Sequence, residues 1–158
     1  MRVLSGERPA AHAFAPNDVL SPGRGSGAIV GGCLSLVASL CGTPEAISGA
    51  GNLFFWEDIG EENYRLDRML TQLERSGTLD RIQGMIIGSV VSRDRTEPAD
   101  DTRGYLRDRF RRAPFPVALG FPAGHGRGPR TLPLHATASL DLEASPPRLD
   151  FPEPAVRA

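Results

Sequence analysis

The sequence predicts a mixed α/β domain in which a central, partly closed sheet carries three flanking helices. Two short, continuously apolar runs, residues 52–56 and 85–91, have the length and composition of buried strands. Between them, residues 61–76 place Leu66, Met69, Leu70 and Leu73 on one helical face with charges filling the other. The last third breaks into short apolar runs separated by turn residues, the pattern of small strands. At 158 residues the chain fits one domain with a real core.

Taken in order, residues 1–26 are rich in Pro, Gly and Ser and hold the turn signal Ser21-Pro22-Gly23, so they read as linker plus at most one short strand. Ordered structure is expected from about Ala28. Residues 33–41 repeat apolar side chains at Leu34, Val37 and Leu40 or Cys41, a short buried helix stopped by Gly42 and Pro44. The run 52–56 follows, and Glu57 is expected where that strand gives way to a loop. In the helix 61–76, Glu61 and Glu62 fall in the first turn and Arg75 in the last, which the helix dipole favours by roughly 0.3–1 kcal/mol each. Gly77 ends it. After a turn over 79–82 comes strand 85–91, then a charged loop. Residues 102–112 form an amphipathic helix through Tyr105, Leu106 and Phe110, and 114–121 return to strand before a glycine-rich loop holding His125. Residues 132–134, 138–142 and 148–151 read as short strands, the last two divided by Ser145-Pro146-Pro147.

Composition narrows the chemistry. The formal charge of −1 gives no push toward nucleic acid or anionic membrane, so small molecules or proteins are the expected partners. The absence of lysine excludes Schiff-base chemistry and any lysine nucleophile. Cys33 and Cys41 lack the spacing of a zinc site or disulfide framework, and in an apolar helix they read as packing residues; a reducing cytoplasm is the expected compartment. The uncharged stretch 25–44 approaches the roughly 20 residues of a membrane span, but its glycines, serines and closing Gly-Thr-Pro make it a buried segment instead.

Read alone, Glu57 is a carboxylate that is solvated or caps the following helix, a role open to Asp58 too. His125, between glycines, is either a turn histidine or a side chain brought into a cleft. His135 reads as a packed or edge-strand histidine, and His12 lies in the linker. The acidic residues Glu57, Asp58, Glu61 and Glu62 lack the alternating pattern of a calcium loop, so no metal site is expected. Arg107, Arg109, Arg111 and Arg112 spread over several helix faces and read as solvated. No serine has glycine both two positions before and two after it, so no nucleophile elbow is written here.

Several stretches together carry more information: Leu20-Ser21-Pro22-Gly23, Val30-Gly31-Gly32-Cys33-Leu34-Ser35-Leu36, Gly42-Thr43-Pro44, Leu53-Phe54-Phe55-Trp56-Glu57-Asp58-Ile59-Gly60-Glu61, Tyr64 through Leu73, Gly120-Phe121-Pro122-Ala123-Gly124-His125-Gly126 and Thr131-Leu132-Pro133-Leu134. Their order and content resemble the C-terminal half of the LD-carboxypeptidases, the serine peptidase family that also contains the microcin C immunity proteins. The resemblance implies a swivelling, barrel-like C-terminal domain over residues 18–151. Residues 1–17 would be a remnant of the interdomain linker and 152–158 a tail.

It implies, too, a Ser-Glu-His triad in which Glu57 orients His125 and the serine belongs to an N-terminal α/β domain absent from this sequence. The implied activity hydrolyses the amide between an L-centre and a terminal D-amino acid, releasing D-alanine from murein tetrapeptides in the cytoplasm with no metal or organic cofactor. The implied partners are the N-terminal nucleophile-bearing domain or subunit and a peptide ending in a D-amino acid, with no nucleic acid and no membrane. An apolar face left by the missing domain could also be buried in a homodimer. Alone, the chain is expected to show no turnover; the alternative is a stand-alone interaction domain that kept the fold without the chemistry. Two positions depart from the family pattern: Cys33 replaces the usual asparagine after Gly-Gly, and His135 replaces a glycine.

Overall fold

The computed structural model describes residues 7–91, 100–126 and 128–155. Within them lie β1 (His12–Ala13), a 3-10 turn (Pro16–Asp18), β2 (Val19–Ser21), β3 (Arg24–Cys33), α1 (Leu34–Ser39), β4 (Leu53–Ile59) and α2 (Asn63–Arg75), followed by β5 (Gly84–Val91), α3 (Asp100–Phe110), β6 (Val117–Leu119), β7 (Thr137–Asp141) and β8 (Arg148–Asp150). The strands form one sheet in the order β1-β8-β7-β3-β4-β5-β6-β2. Its middle is parallel, β3 to β4 to β5 to β6, and its flanks are antiparallel.

Strand parity builds two cores from one sheet, because successive side chains point to opposite faces. Val30, Phe54, Trp56, Met85, Ile87, Val117 and Leu119 face the helices, where they meet Leu34 and Val37 of α1, Leu66 to Leu73 of α2 and Leu106 and Phe110 of α3. Ile29, Leu53, Phe55, Ile86 and Ala118 face inward, against Ala138, Leu140 and Leu149. Both faces being buried is why β4 and β5 read as unbroken apolar runs. The sheet curls: Phe14, just after β1, and Phe121, just after β6, belong to the same inner cluster although their strands lie near opposite ends of the sheet order.

The mixed architecture with three helices agrees with the sequence, and several element readings need correction. Residues 7–26 are not linker plus at most one strand: they hold β1, β2 and the start of β3. Strand signal in β3 is masked by Gly25, Gly27, Gly31 and Gly32, and all but Gly32 answer to crowding. A Cβ at Gly25 would stand 1.8 Å from the Gln83 carbonyl oxygen, and one at Gly31 would stand 1.9 Å from that of Phe55. Cys33 consequently ends a strand rather than starting a helix, and Cys41 follows α1. Residues 132–134 form no strand; the chain turns there, and His135 is exposed with φ +63°, neither packed nor on a strand edge. Glu61 and Glu62 precede the first turn of α2 instead of occupying it. Arg109 is not solvated: it is 18% exposed and bonds Asp67 and Glu74 of α2 at 2.8 and 2.9 Å, fastening α3 to α2. The charged loop expected after Val91 lies outside the described residues.

Candidate active site

Glu57 is not in a loop. It lies inside β4, and parity gives it the inner face that Leu53 and Phe55 also occupy, whereas Asp58 points to the helix side. Two distinct environments follow from one residue of separation. Asp58 Oδ2 accepts the N–H of Ser35 at 2.9 Å in the first turn of α1, and Oδ1 accepts the N–H of Ile59 at 2.8 Å. Asp58 therefore caps the helix that precedes β4, not the one that follows. Burial pushes its carboxyl pKa up, opposed by those two N–H bonds and reinforced by Glu61 and Glu57.

Glu57 meets His125. The Oε2 atom lies 2.7 Å from His125 Nδ1 and 3.3 Å from the backbone nitrogen of the same residue. A carboxylate has only acceptors to offer, so Nδ1 carries the ring proton and donates it, leaving the lone pair on Nε2. The Glu57 side chain is 8% exposed and that of His125 is 49% exposed. The carboxylate is thus shielded and the imidazole half exposed. Among the described residues, the imidazole is hydrogen-bonded to Glu57 and to no hydroxyl or thiol.

The approach depends on local irregularity in β5. Register shifts by one residue between Trp56, opposite Ile87, and Asp58, opposite Val90, so Glu57 faces both Gly88 and Ser89. Gly88 has no room for a side chain: a Cβ there would stand 2.7 Å from the Ala123 carbonyl oxygen and 3.0 Å from Glu57 Cβ. The Ser89 N–H donates to that Ala123 carbonyl at 2.9 Å, laying the His125 loop over the shifted register. Gly124 is equally constrained, with φ +101° and a hypothetical Cβ only 2.3 Å from Glu57 Oε2. The glycines flanking His125 were legible in sequence; the part played by Gly88 and Ser89 was not, because it arises only when two strands are placed side by side.

The remaining site candidates separate. Cys33 is the register partner of Glu57 on β3, and its Sγ is 3.1 Å from Ser35 Oγ. His135 belongs to a different turn, bonded through its N–H to the Ile29 carbonyl at 2.7 Å. His12, placed in a linker by sequence, stands on β1 with its ring against Phe14 and Phe121. Among the described residues no group of three or more His, Cys, Asp or Glu is arranged to hold a metal ion, and no helix is long and apolar enough to cross a membrane.

The inner face of the curled mixed sheet thus carries a buried carboxylate bonded to a half-exposed imidazole. The family model described as LD-carboxypeptidase C-terminal domain matches residues 26–140, and the chain belongs to that family. It is 45% identical over 134 residues to a Streptomyces coelicolor protein named as a carboxypeptidase, covering 84% of this chain and 42% of that protein. With the murein tetrapeptide carboxypeptidase of Pseudomonas aeruginosa it shares 32% identity over 119 residues, 75% of this chain and 39% of the relative. The crystal structure of muramoyltetrapeptide carboxypeptidase from Oxalobacter formigenes superposes with a TM-score of 0.71 at 28% identity, covering 90% of this chain and 49% of that one. The chain therefore spans less than half the length of each of these relatives.

Proposed function

We propose that this chain supplies the Glu-His half of a serine-type LD-carboxypeptidase, Glu57 orienting His125 and a serine arriving from an N-terminal nucleophile domain or subunit. The observation that carries the reading is the 2.7 Å bond between Glu57 Oε2 and His125 Nδ1, formed in a domain of this family with Nε2 left open. With Nδ1–H committed to the carboxylate, Nε2 accepts the proton of the attacking serine hydroxyl as its oxygen adds to the scissile carbonyl. The imidazolium so formed is stabilised by Glu57 and returns the proton to the nitrogen of the leaving D-amino acid. Water then repeats the sequence on the acyl-serine, giving up its proton to Nε2 and releasing the shortened peptide. The oxyanion-binding amides would belong to the nucleophile domain.

The names of the Pseudomonas and Oxalobacter relatives favour a murein tetrapeptide as substrate. The family resemblance of the sequence adds release of D-alanine in the cytoplasm. Leu36 and Tyr64, 66% and 61% exposed, stand on the first turns of α1 and α2, the helices that leave the same ends of β3 and β4 as Glu57. They suit an apolar rim that the nucleophile domain covers; without that domain, a homodimer would bury it.

Joining the N-terminal domain of the Pseudomonas enzyme to this chain tests the reading. The chimera should release D-alanine from a murein tetrapeptide, and His125→Ala should lower kcat by roughly a thousandfold or more. A folded chimera without activity, or activity that survives His125→Ala, would contradict it.

A further inference from the structure

The His125 loop is a closed neck with a clasp. The Arg130 N–H donates to the Pro122 carbonyl at 2.6 Å, which holds two points on either side of His125 together. The incoming limb is fixed to β5, Phe121 N–H to the Ile87 carbonyl at 3.1 Å and Ser89 N–H to the Ala123 carbonyl at 2.9 Å. The outgoing limb has another anchor. The Arg130 guanidinium places Nη1 3.2 Å from His12 Nδ1 and Nη2 3.4 Å from the Ala10 carbonyl oxygen.

We propose that Arg130 and His12 are positioning residues for His125, tying the neck of its loop to the first strand, and that protonation of His12 unties it. One ring touches both limbs. Edge-on contacts join His12 to Phe14 at 4.7 Å and to Phe121 at 4.9 Å between ring centroids, gripping the incoming limb, while its Nδ1 holds the arginine of the outgoing one. An arginine has donors only, so His12 Nδ1 must be a bare acceptor and the ring neutral. A proton at Nδ1 would remove the acceptor and set a second cation against the guanidinium.

Arg130 faces His12 from the loop, and Asp18 from the 3-10 turn, where that carboxylate is itself paired with Arg103 of α3. On the neighbouring strand β8, Arg148 and Asp150 bond each other at 2.8 Å and flank Leu149, the register partner of His12. Burial first, then Arg130, lower the His12 pKa below the ordinary 6.5, against a smaller opposing pull from Asp18. The sign follows: the folded chain binds this proton less readily than the unfolded one, so the clasp contributes fully above pH 6.5 and weakens as pH falls through that value toward the lowered one.

The catalytic meaning of the clasp rests on His125 being the base, but its existence can be tested on this chain without turnover. Amide hydrogen exchange, expressed as protection relative to the intrinsic rate, reads the neck at the Arg130 N–H and the dyad at the His125 N–H. In Arg130→Ala both should lose about tenfold protection, the worth of one charge-assisted hydrogen bond, while Leu70 in α2 keeps its own. The native chain should show the same loss as pH falls from about 7.5 through the lowered His12 pKa, and His12→Phe, which keeps the ring contacts without an acceptor, should show the loss already at the higher pH and no further acid step. Unchanged protection in Arg130→Ala, or an acid step that persists in His12→Phe, overturns the clasp. In the Pseudomonas chimera, Arg130→Ala should lower kcat about tenfold with KM unchanged. Because exchange is measured without the nucleophile domain, an inactive chimera would count against the peptidase reading and leave the clasp standing.

Discussion

Replacing Gly124 by alanine strikes the site at its tightest point. The residue has φ +101°, a conformation that an L side chain adopts at a cost of about 1–3 kcal/mol. The added Cβ would also lie 2.3 Å from Glu57 Oε2 and 2.6 Å from its Cγ, well inside ordinary contact. Relief requires the loop to rise or the carboxylate to turn, and either movement breaks the 2.7 Å bond to His125 Nδ1. A largely buried carboxylate that loses its partner adds about 1–3 kcal/mol more, so the whole change should remove about 2–6 kcal/mol of stability. Gly128→Ala is the matched control, since φ there is +62° and nothing stands within 4 Å of the new Cβ. It should forfeit only the left-handed penalty of about 1–2 kcal/mol. Urea unfolding of the two variants reads the difference. If Gly124→Ala were no less stable than Gly128→Ala, the close approach of loop and carboxylate on which the site depends would be wrong.

Other expectations follow from the same geometry. Gly104 is exposed in α3 with open space around its Cβ position, so Gly104→Ala should raise stability by about 0.5–1 kcal/mol in thermal unfolding. His135 holds φ +63°, the left-handed region that favours glycine, and His135→Gly should stabilise by up to about 1 kcal/mol, less the greater chain entropy of glycine. Asp58→Ala removes the acceptor for the Ser35 N–H and should weaken the chain by about 1 kcal/mol. Because the Asp58 pKa is raised, its proton favours the folded state: the contribution is full below the ordinary 3.8 and lost as pH rises through the elevated value. Asp58→Asn should flatten that part of the stability profile.

The succession of helices and buried strands along the chain was legible because α2 has an unambiguous apolar face and because β4 and β5 are buried on both sides, whereas their pairing in the sheet was not. Nor was glycine-rich β3 legible, since Gly25, Gly27 and Gly31 answer to neighbouring backbone that no local pattern reveals. Glu57 shows the same limit. Its strand was extended by one turn of alternation too few, and parity over Leu53, Phe55 and Glu57 would have placed it inside. The family motif brought Glu57 and His125 to attention, but local reading gave neither their contact nor the register shift at Gly88 that permits it. His12 and Arg130 are 118 residues apart in sequence, and only the curl of the sheet joins them.

Nitrogen-15 NMR of the His125 imidazole in the intact chain tests the central claim most directly. The ring proton is expected on Nδ1, deshielded by its bond to Glu57, with none on Nε2. In Glu57→Gln, where the side-chain amide can donate to Nδ1, the proton should move toward Nε2. A native ring protonated at Nε2, or one whose signals ignore Glu57→Gln, would contradict it.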